Sequence, residues 1–212
     1  MTTKRIYLIR HGETDYNIKA IIQGRRIDSD LNETGIFQRD MLYKVFAHEP
    51  IDHIYLSTLK RTFQTMKPLI DRGIAYTRIG DLDELDFGDV EGSPIFDSNG
   101  ESVLKEIIEK WRGGEFMVKF PGGESPLEAL LRVKDGFEKI LEAEDEKTII
   151  ICLHQRILRI VLCFLLQKPL TEMDSYPHHN TGVTTIDYND TTGLFSLVAL
   201  NKVTHLNLEK QL

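Results

Sequence analysis

The feature that most constrains the fold of this chain is a regular alternation of short apolar runs with helix-forming segments. Residues 4–10, 51–57, 74–79 and 148–153 have the length and aliphatic content of buried strands. Helical patterns occupy residues 32–48, 58–72, 101–111, 125–141 and 154–167. Such alternation predicts a three-layer α/β/α sandwich with a doubly wound, mostly parallel sheet. The 212 residues fit a single domain over 1–212.

The last two strands and two of the helices carry more detailed expectations. Val183–Tyr188 and Leu194–Leu200 flank turn residues, which predicts a hairpin, and we expect one antiparallel edge strand in the sheet. The helix that begins at Asn32 has an apolar stripe formed by Ile36, Phe37, Met41, Val45 and Phe46. The helix that begins at Ser125 has one formed by Leu127, Leu130, Leu131, Phe137 and Leu141.

Basic and imidazole side chains come directly after the predicted strands. Arg10-His11 ends the first strand, Arg61 lies in the first turn of the helix after the second, and His154 follows the fourth. The carboxyl ends of parallel strands share one sheet edge, where open α/β sheets bind ligands. The planar fork of arginine suits phosphate oxygens, and a neutral imidazole can act as a nucleophile. We therefore expect a site for phosphoryl chemistry at this edge.

Five sequence blocks, in order, resemble the histidine phosphatase superfamily, also called the phosphoglycerate mutase-like family. The blocks are Arg10-His11-Gly12-Glu13-Thr14 with Asn17, Gln23-Gly24 and Leu31–Gly35; Ser57–Thr65; Leu82–Gly92; Pro121–Ser125; and His154. They span nearly the whole chain. The resemblance implies that family's fold and a phosphomonoesterase that needs neither metal nor cofactor. Its substrate would be a small phosphorylated metabolite, hydrolysed through a phosphohistidine.

The resemblance also implies a role for each matching position. His11 would carry the phosphoryl group, and Glu84 would protonate the leaving oxygen and then activate water. Three side chains would surround the transferred group: Arg10, Arg61 and His154. Three positions would line the substrate side: Asn17, Gln23 and Gly24. Asp83, Asp86 and Glu91 lie close to Glu84 in the sequence and stay open as alternatives for its role.

The chain departs from the family pattern after the late histidine. Many members have two glycines there, whereas this chain has Gln155-Arg156, and His154-Gln155 also resembles the fructose-2,6-bisphosphatase branch. We expect Gln155 to line the substrate pocket. For Arg156, a pocket role and a salt bridge elsewhere are equally open. Arg25-Arg26 form either a solvated basic pair or a second anion site.

Adjacent histidines at 178 and 179 invite a metal interpretation. On an extended segment, neighbouring side chains point to opposite sides. We therefore expect that His178 and His179 do not share a metal, and that one of them lies near the pocket.

Charge and cysteine usage exclude several other classes of protein. A formal net charge of -7 argues against broad binding to nucleic acid or anionic membranes. Cys152 and Cys163 lie in apolar runs without the spacing of zinc sites, so we expect buried thiols in a reducing, cytoplasmic compartment. Residues 157–166 are the most apolar segment, but they are too short for a membrane span. We expect no signal peptide, because strand and motif begin at once.

Two other functions compete with hydrolysis. A phosphoglycerate mutase would return the phosphoryl group to the substrate. The family resemblance implies that dedicated mutases are somewhat longer chains with an extra segment that closes over the site. This chain is short for that, which favours hydrolysis. A non-catalytic phosphate-binding or interaction module would have lost part of the catalytic set. This chain keeps all of it: Arg10, His11, Arg61, Glu84 and His154. The sequence specifies neither the substrate nor an oligomeric state.

Overall fold

The order of elements follows the predicted alternation. The structure is a computed structural model that describes the backbone of residues 3–211 and the side chains of residues 3–207. Its strands are β1 (Thr3–Arg10), β2 (His53–Leu56), β3 (Tyr76–Arg78), β4 (Thr148–Leu153), β5 (Val183–Asn189) and β6 (Leu194–Lys202). Its helices are α1 (Asp15–Ile18), α2 (Glu33–Phe46), α3 (Lys60–Asp71), α4 (Lys105–Arg112), α5 (Pro126–Leu141) and α6 (Gln155–Leu165). Short 3-10 helices lie at Gly80–Leu82, Gly88–Val90, Leu170–Ser175 and Thr204–Gln211.

The strands form one six-stranded sheet in the order β3-β2-β4-β1-β5-β6. Strands β3, β2, β4 and β1 are parallel neighbours. Strand β5 is antiparallel to β1, and β6 pairs with β5 as the predicted hairpin. The expectation of one antiparallel strand at the edge is wrong in position. The first strand of the hairpin pairs with β1, so the antiparallel strand lies one place in and β6 forms the edge.

Helices cover both faces of the sheet, which confirms the three-layer α/β/α architecture. Side chains of β4 alternate between the faces: Ile149 and Ile151 pack with α5 and α6, and Ile150 and Cys152 pack with α2 and α3. All four side chains are fully buried. Because burying one large aliphatic side chain contributes about 1.5–3 kcal/mol, this strand anchors the core on both sides.

Two helices bury faces that differ from the predicted stripes. In α2, Met41, Leu42 and Phe46 are buried, whereas three predicted residues are largely exposed: Ile36, Phe37 and Val45. In α5 the buried face is built mainly from small or β-branched residues: Ala129, Val133, Gly136, Phe137 and Ile140. Leu131 is 56% exposed. Three residues of the predicted stripes, Met41, Phe46 and Phe137, are buried as expected. The rest of the α5 stripe differs because small residues allow α5 to lie close to the 80–82 segment, where a Cβ on Gly136 would come within 2.9 Å of Asp81 Cβ.

Hydrogen bonds hold the segment that follows β3 against α5. Arg132 of α5 donates to the carbonyl oxygens of Asp81 at 2.7 Å and Glu84 at 3.2 Å. The same guanidinium forms a bidentate pair with Glu124, at 2.6 and 2.8 Å. These bonds fix the position of Glu84 relative to the sheet edge. Within residues 3–211, no helix is long and apolar enough to cross a membrane.

Candidate active site

The carboxyl ends of three adjacent parallel strands bring the predicted site residues together. Arg10 ends β1 opposite Leu153 of β4, and the backbone N–H of His11 donates to the Leu153 carbonyl at 3.0 Å. His154 comes directly after β4, next to Ser57, which follows β2. The rings of His11 and His154 lie with their centres 5.2 Å apart. The expected juxtaposition at one sheet edge is therefore present.

The ring of His11 is held in one orientation and one protonation state. Its Nδ1 lies 2.7 Å from the carbonyl oxygen of Gly12. A carbonyl can only accept, so Nδ1 carries the proton and Nε2 keeps its lone pair. Burial and the charges of Arg61 and Arg10 hold the pKa of His11 well below its ordinary value. The side chain is thus a neutral imidazole with Nε2 available as a nucleophile.

Gly12 makes a close contact that places this ring. A Cβ at that position would lie 2.9 Å from the carbonyl oxygen of Gly35, so only glycine allows the approach. The N–H of Gly12 donates to Thr65 Oγ1 at 2.9 Å, which links the end of β1 to helix α3. This hydrogen bond joins the strand end next to His11 to the helix that carries Arg61.

Two buried guanidinium groups flank His11. Arg61 is fully buried, and it donates to Ile27 O at 2.8 Å, Gly24 O at 3.3 Å and Nδ1 of His154 at 3.1 Å. Arg10 donates to His178 O at 2.9 Å, while its Nε has no partner among the described residues. Burial lowers the pKa of each guanidinium to about 10, so both stay charged near neutral pH. Arg10 lines the cavity beside His11, whereas Arg61 does not line it and adds positive charge next to the His11 ring.

His154 is fully buried and both of its ring nitrogens are engaged by protein groups. Nδ1 accepts from Nε of Arg61, so in the neutral ring the proton is on Nε2, which lies 2.7 Å from Ser57 Oγ. Burial and the nearby charge of Arg61 hold the pKa of His154 well below its ordinary value. In this arrangement the imidazole orients Arg61 beside His11.

Glu84 is the carboxylate that faces the site. Its side chain is almost fully buried and lines a cavity together with Arg10 and His11. One oxygen accepts from the N–H groups of Leu85 at 2.9 Å and Ile157 at 3.1 Å, and the other accepts from Arg156 at 3.2 Å. The carboxylate thereby caps the first turn of α6, where backbone N–H groups lack partners.

The three alternative carboxylates are engaged elsewhere. Asp83 accepts from the backbone and hydroxyl of Thr58, at 2.7 and 2.8 Å. Asp86 accepts from Gly88 N and pairs with Arg26. Glu91 accepts from the backbone of Phe87, Gly24 and Arg26, which shapes the loop around residue 24. None of the three lines the cavity.

The cavity beside His11 has a volume of about 210 Å³. Its polar wall is formed by Arg10, His11, Asn17, Gln23, Glu84, Gln155, Arg156 and Arg159. Its apolar wall is formed by Ile21, Ile22, Phe87, Ile95 and Leu104. Drug-sized ligands occupy pockets of about 300–1,000 Å³, so this cavity suits a smaller molecule.

Three of the four predicted substrate-side residues lie in the cavity wall, and Gly24 does not. Asn17 Oδ1 accepts from Thr14 N at 3.1 Å, and Gln23 accepts from the Thr14 hydroxyl at 2.8 Å. Gln155 occupies the first position of α6 and also lines the cavity. The Gly24 carbonyl instead anchors Arg61, and a Cβ on Gly24 would collide with Glu91 Oε1. The structure therefore gives Gly24 a backbone role one layer behind the cavity.

The structure shows where the three arginines of open role lie: Arg25, Arg26 and Arg156. Arg25 pairs with Asp83 at 3.4 Å and Arg26 pairs with Asp86 at 2.9 Å, and neither lines the cavity. Arg156 does both things that the sequence left open. It donates to Asp174 at 2.9 Å, and it lines the cavity.

His178 and His179 point to opposite sides, as predicted. His178 is 4% exposed beside Arg10, whereas His179 is exposed and bonds to Asn201 through Nδ1 at 2.7 Å. Within the part of the chain that the structure describes, no group of three or more His, Cys, Asp or Glu residues could hold a metal ion.

Sequence reasoning assigned no individual role to three residues that position or line the site. Ser57 bonds to His154, Asn180 donates to the carbonyl of His11 at 3.0 Å, and Arg159 lines the cavity. Arg159 could have been found, because residues three apart on a helix share a face and Arg156 was already a candidate. Asn180 lies in a segment without periodicity, so its sequence carried no comparable signal.

Comparison with known proteins places this geometry in a family. A family model described as the histidine phosphatase superfamily (branch 1) matches residues 6–202. The chain is 27% identical to "Phosphoserine phosphatase 1" of Hydrogenobacter thermophilus, over 95% of this chain and 94% of that protein. It is 32% identical to "Probable phosphoglycerate mutase GpmB" of Yersinia pestis, over 91% and 88% of the two chains.

Solved structures give the same result. YhfR of Bacillus stearothermophilus superimposes with a TM-score of 0.83 at 26% identity, covering 96% of this chain and 99% of that one. A phosphoserine phosphatase mutant from Entamoeba histolytica, in complex with phosphoserine, superimposes with a TM-score of 0.82 at 25% identity, with the same coverage. The chain belongs to the histidine phosphatase superfamily. The predicted class, a phosphoric monoester hydrolase, is confirmed by this membership and by its phosphatase relatives.

Proposed function

We propose that this phosphomonoesterase hydrolyses a small phosphorylated metabolite through a phosphohistidine on His11. The observation that carries the proposal is a neutral imidazole whose Nε2 is free, held between two charged, buried arginines. The lone pair of His11 Nε2 and the fixed positive charge of the arginines are therefore close together. Phosphoryl transfer requires mainly such positioning and charge stabilisation.

The first half of the reaction forms the phosphohistidine. Nε2 of His11 attacks phosphorus while the bond from phosphorus to the ester oxygen breaks, and Glu84 gives its proton to that oxygen. Arg10 and Arg61 neutralise the charge on the equatorial oxygens. His154 acts as a positioning residue that keeps Arg61 aimed at the site. A single preorganised donor is typically worth about 10²–10³ in rate, and a positioned acid about 10²–10⁴.

The second half releases phosphate. The Glu84 carboxylate takes a proton from water as the water oxygen bonds to phosphorus. The bond between phosphorus and Nε2 breaks, and its electron pair returns to the imidazole. Inorganic phosphate leaves, and His11 and Glu84 regain their starting states. Asn17, Gln23 and Gln155 contact the rest of the substrate, to which the phosphoryl group is esterified.

The decisive experiment compares wild type with His11→Ala on p-nitrophenyl phosphate in buffer that contains EDTA. We expect wild-type turnover despite the chelator and a fall of at least about 10³-fold in kcat for the variant, because loss of a nucleophile removes the covalent route. Quenching the reaction of ³²P-labelled substrate in alkaline detergent, which leaves the acid-labile phosphorus–nitrogen bond intact, should trap a labelled protein in wild type and none in the variant. Equal turnover by the two proteins would refute the proposal.

A second measurement separates hydrolysis from mutase activity, which the name of one relative favours. Phosphate release and conversion of 3- to 2-phosphoglycerate are followed in the same reaction. We expect release to dominate. Fast isomerisation with negligible release would make the protein a mutase, and phosphate binding without turnover would make it a non-catalytic module.

We also propose a cytoplasmic location. Cys152 and Cys163 are both free and buried. Free thiols are typical of reducing compartments. Fractionation with a cytoplasmic marker enzyme tests this, and recovery outside the marker fraction would contradict it.

A further inference from the structure

A short loop outside the cavity contacts the backbone on which the proposed nucleophile sits. We call residues 178–182, which directly precede β5, the 178–182 loop. In this loop the side chain of Asn180 donates to the carbonyl oxygen of His11 at 3.0 Å. The N–H of Thr181 lies 3.0 Å from the carbonyl oxygen of Arg10 and 3.4 Å from that of His11. The loop therefore holds the two peptide groups at the end of β1.

Thr181 has a backbone conformation that its side chain disfavours. It is fully buried, and its φ of 54° lies in the left-handed region. That region is unfavourable for a β-branched residue, at a cost of about 1–3 kcal/mol, and it persists only where the surrounding structure fixes it. Such residues cluster at functional sites. The contacts that hold Thr181 in place are therefore of interest for the reaction.

The side chain of Thr181 is hydrogen-bonded to a histidine from the end of the chain. The hydroxyl oxygen lies 3.0 Å from Nε2 of His205, in the 3-10 helix Thr204–Gln211. His205 is 3% exposed, and burial lowers its pKa, so the ring is neutral near neutral pH. A hydroxyl and a neutral ring nitrogen can exchange donor and acceptor roles, so this bond forms with either tautomer.

These bonds form a continuous path from His205 to the nucleophile. The imidazole holds the hydroxyl of Thr181, and the N–H of the same residue holds the carbonyl oxygens of Arg10 and His11. A shift of Thr181 would move the peptide groups that carry the nucleophile and one of its arginines. Because a misplacement of about 1 Å can lower a rate about 10²-fold, such a shift would slow the transfer of the phosphoryl group.

We propose that Thr181 and His205 are positioning residues, whose hydrogen bond keeps the backbone of Arg10 and His11 in the geometry that phosphoryl transfer requires. This inference rests on the proposed function. Neither Thr181 nor His205 lines the cavity, so they act through their neighbours and not on the substrate. Losing their bond should therefore slow the formation of the phosphohistidine in a protein that is still folded.

The first test removes the hydroxyl of Thr181. Thr181→Val keeps the size and the branching of the side chain. With p-nitrophenyl phosphate, well below the melting temperature, we expect this variant to lower kcat/KM by about 10- to 100-fold. Thr181→Ser keeps the hydroxyl and should stay within about threefold of wild type, because the bond to His205 can still form.

Thr184→Val is the matched control. Thr184 is also fully buried, and its hydroxyl accepts from the N–H of Asn201 at 3.0 Å, which belongs to the same end of the chain. Its partner in the sheet is Leu8, not a residue of the site. Leaving a buried polar group unpaired costs about 1–3 kcal/mol, so both valine variants should lose similar thermal stability. We expect Thr184→Val to keep kcat/KM within about threefold of wild type.

Variants of the partner test the same bond from its other side. His205→Leu should lower kcat/KM about as much as Thr181→Val, whereas the side-chain amide of His205→Gln can take the place of Nε2 and should restore most of the activity. The double variant of Thr181→Val with His205→Leu should be no more than about threefold slower than either single variant, because both remove one bond. Should Thr181→Val fail to fold, the two substitutions of His205 still decide the question.

Single-turnover labelling separates this inference from the proposed function. With ³²P-labelled substrate and an alkaline detergent quench, labelling of folded Thr181→Val should slow by the same factor as kcat/KM. Labelling at the wild-type rate in folded Thr181→Val or His205→Leu, an equal loss in Thr184→Val, or additive losses in the double variant would refute the positioning role alone. Absence of label in wild type would refute the phosphohistidine itself.

Discussion

Replacing Glu84 tests which carboxylate serves as proton donor, and the chain supplies its own control. Glu84 and Glu91 each accept three backbone N–H groups, two on one oxygen and one on the other. Only Glu84 lines the cavity. Glu84→Gln and Glu91→Gln therefore remove equivalent structural bonds, while only the first removes the acid.

The structural cost of the two substitutions should match. An amide keeps the oxygen that accepts two bonds, and its NH₂ group faces the single remaining N–H: that of Arg156 for residue 84 and of Phe87 for residue 91. The substitution leaves one buried N–H group without its acceptor, which costs about 1.5–3 kcal/mol. In a chain of this size, we expect the melting temperature to fall by about 3–12 °C in both variants.

The two substitutions should differ in their effect on kcat/KM. An alkyl phosphate has a poor leaving group that needs a proton, whereas p-nitrophenolate leaves readily without one. We expect Glu84→Gln to lower kcat/KM on an alkyl phosphate by about 10²–10⁴-fold, equal to about 3–5 kcal/mol, and on p-nitrophenyl phosphate by much less. Glu91→Gln should lower both by the same small factor.

The assay is kcat/KM for the two substrates in the two variants at the same pH, beside thermal melts. Equal losses on both substrates in Glu84→Gln would mean that this carboxylate only holds helix α6. Leaving-group discrimination in Glu91→Gln would transfer the role to that residue.

Two further predictions follow from the packing of the site. Gly24→Ala should lower kcat/KM by about tenfold or more and destabilise the fold by about 1–3 kcal/mol, because the new Cβ would collide with Glu91 Oε1, lie 2.6 Å from the Leu85 carbonyl oxygen and displace the carbonyl that anchors Arg61; wild-type kinetics would contradict this. His178→Asn should lessen acid destabilisation: below about pH 6.5 the unfolded chain takes up a proton that native His178, with a pKa of about 3, does not, so stability falls with pH. Urea unfolding should show wild type losing about 2 kcal/mol more than the variant between pH 7 and pH 5, and equal losses would refute the buried, neutral state of His178.

The fold could be predicted from the sequence because strand burial leaves a simple signal. Thr148–Leu153 is an unbroken β-rich run, and it became the central strand β4. Helix faces were harder. In α5 the core side is carried by Ala129 and Gly136, whose small size permits close approach but adds little hydrophobic signal. Leu131 belongs to the predicted stripe but is exposed, whereas Phe137 of the same stripe is buried.

The site residues also differ in how well the sequence predicts their positions. His11 and His154 directly follow strands, so topology alone brings them together. Arg159 resembled an interruption of an apolar helix, and its partner Asp174 comes from a segment that shows no periodicity. Contacts of this kind depend on how a loop packs, which local pattern does not encode. Arg159 lines the cavity, and its pairing with Asp174 there could not be read from such local pattern.

The site must combine a neutral nucleophile with charged arginines in contact with the same anion, and one physical cause provides both. Burial disfavours every cation, but imidazole and guanidinium start far apart. The pKa of His11 falls well below its ordinary value, whereas the pKa of Arg10 falls only to about 10. At neutral pH the same dry environment therefore strips the proton from His11 and leaves the arginine charged. Each arginine then lowers the pKa of His11 further. The positive charge that attracts the phosphoryl group therefore also keeps the His11 imidazole neutral, so that it can accept that group.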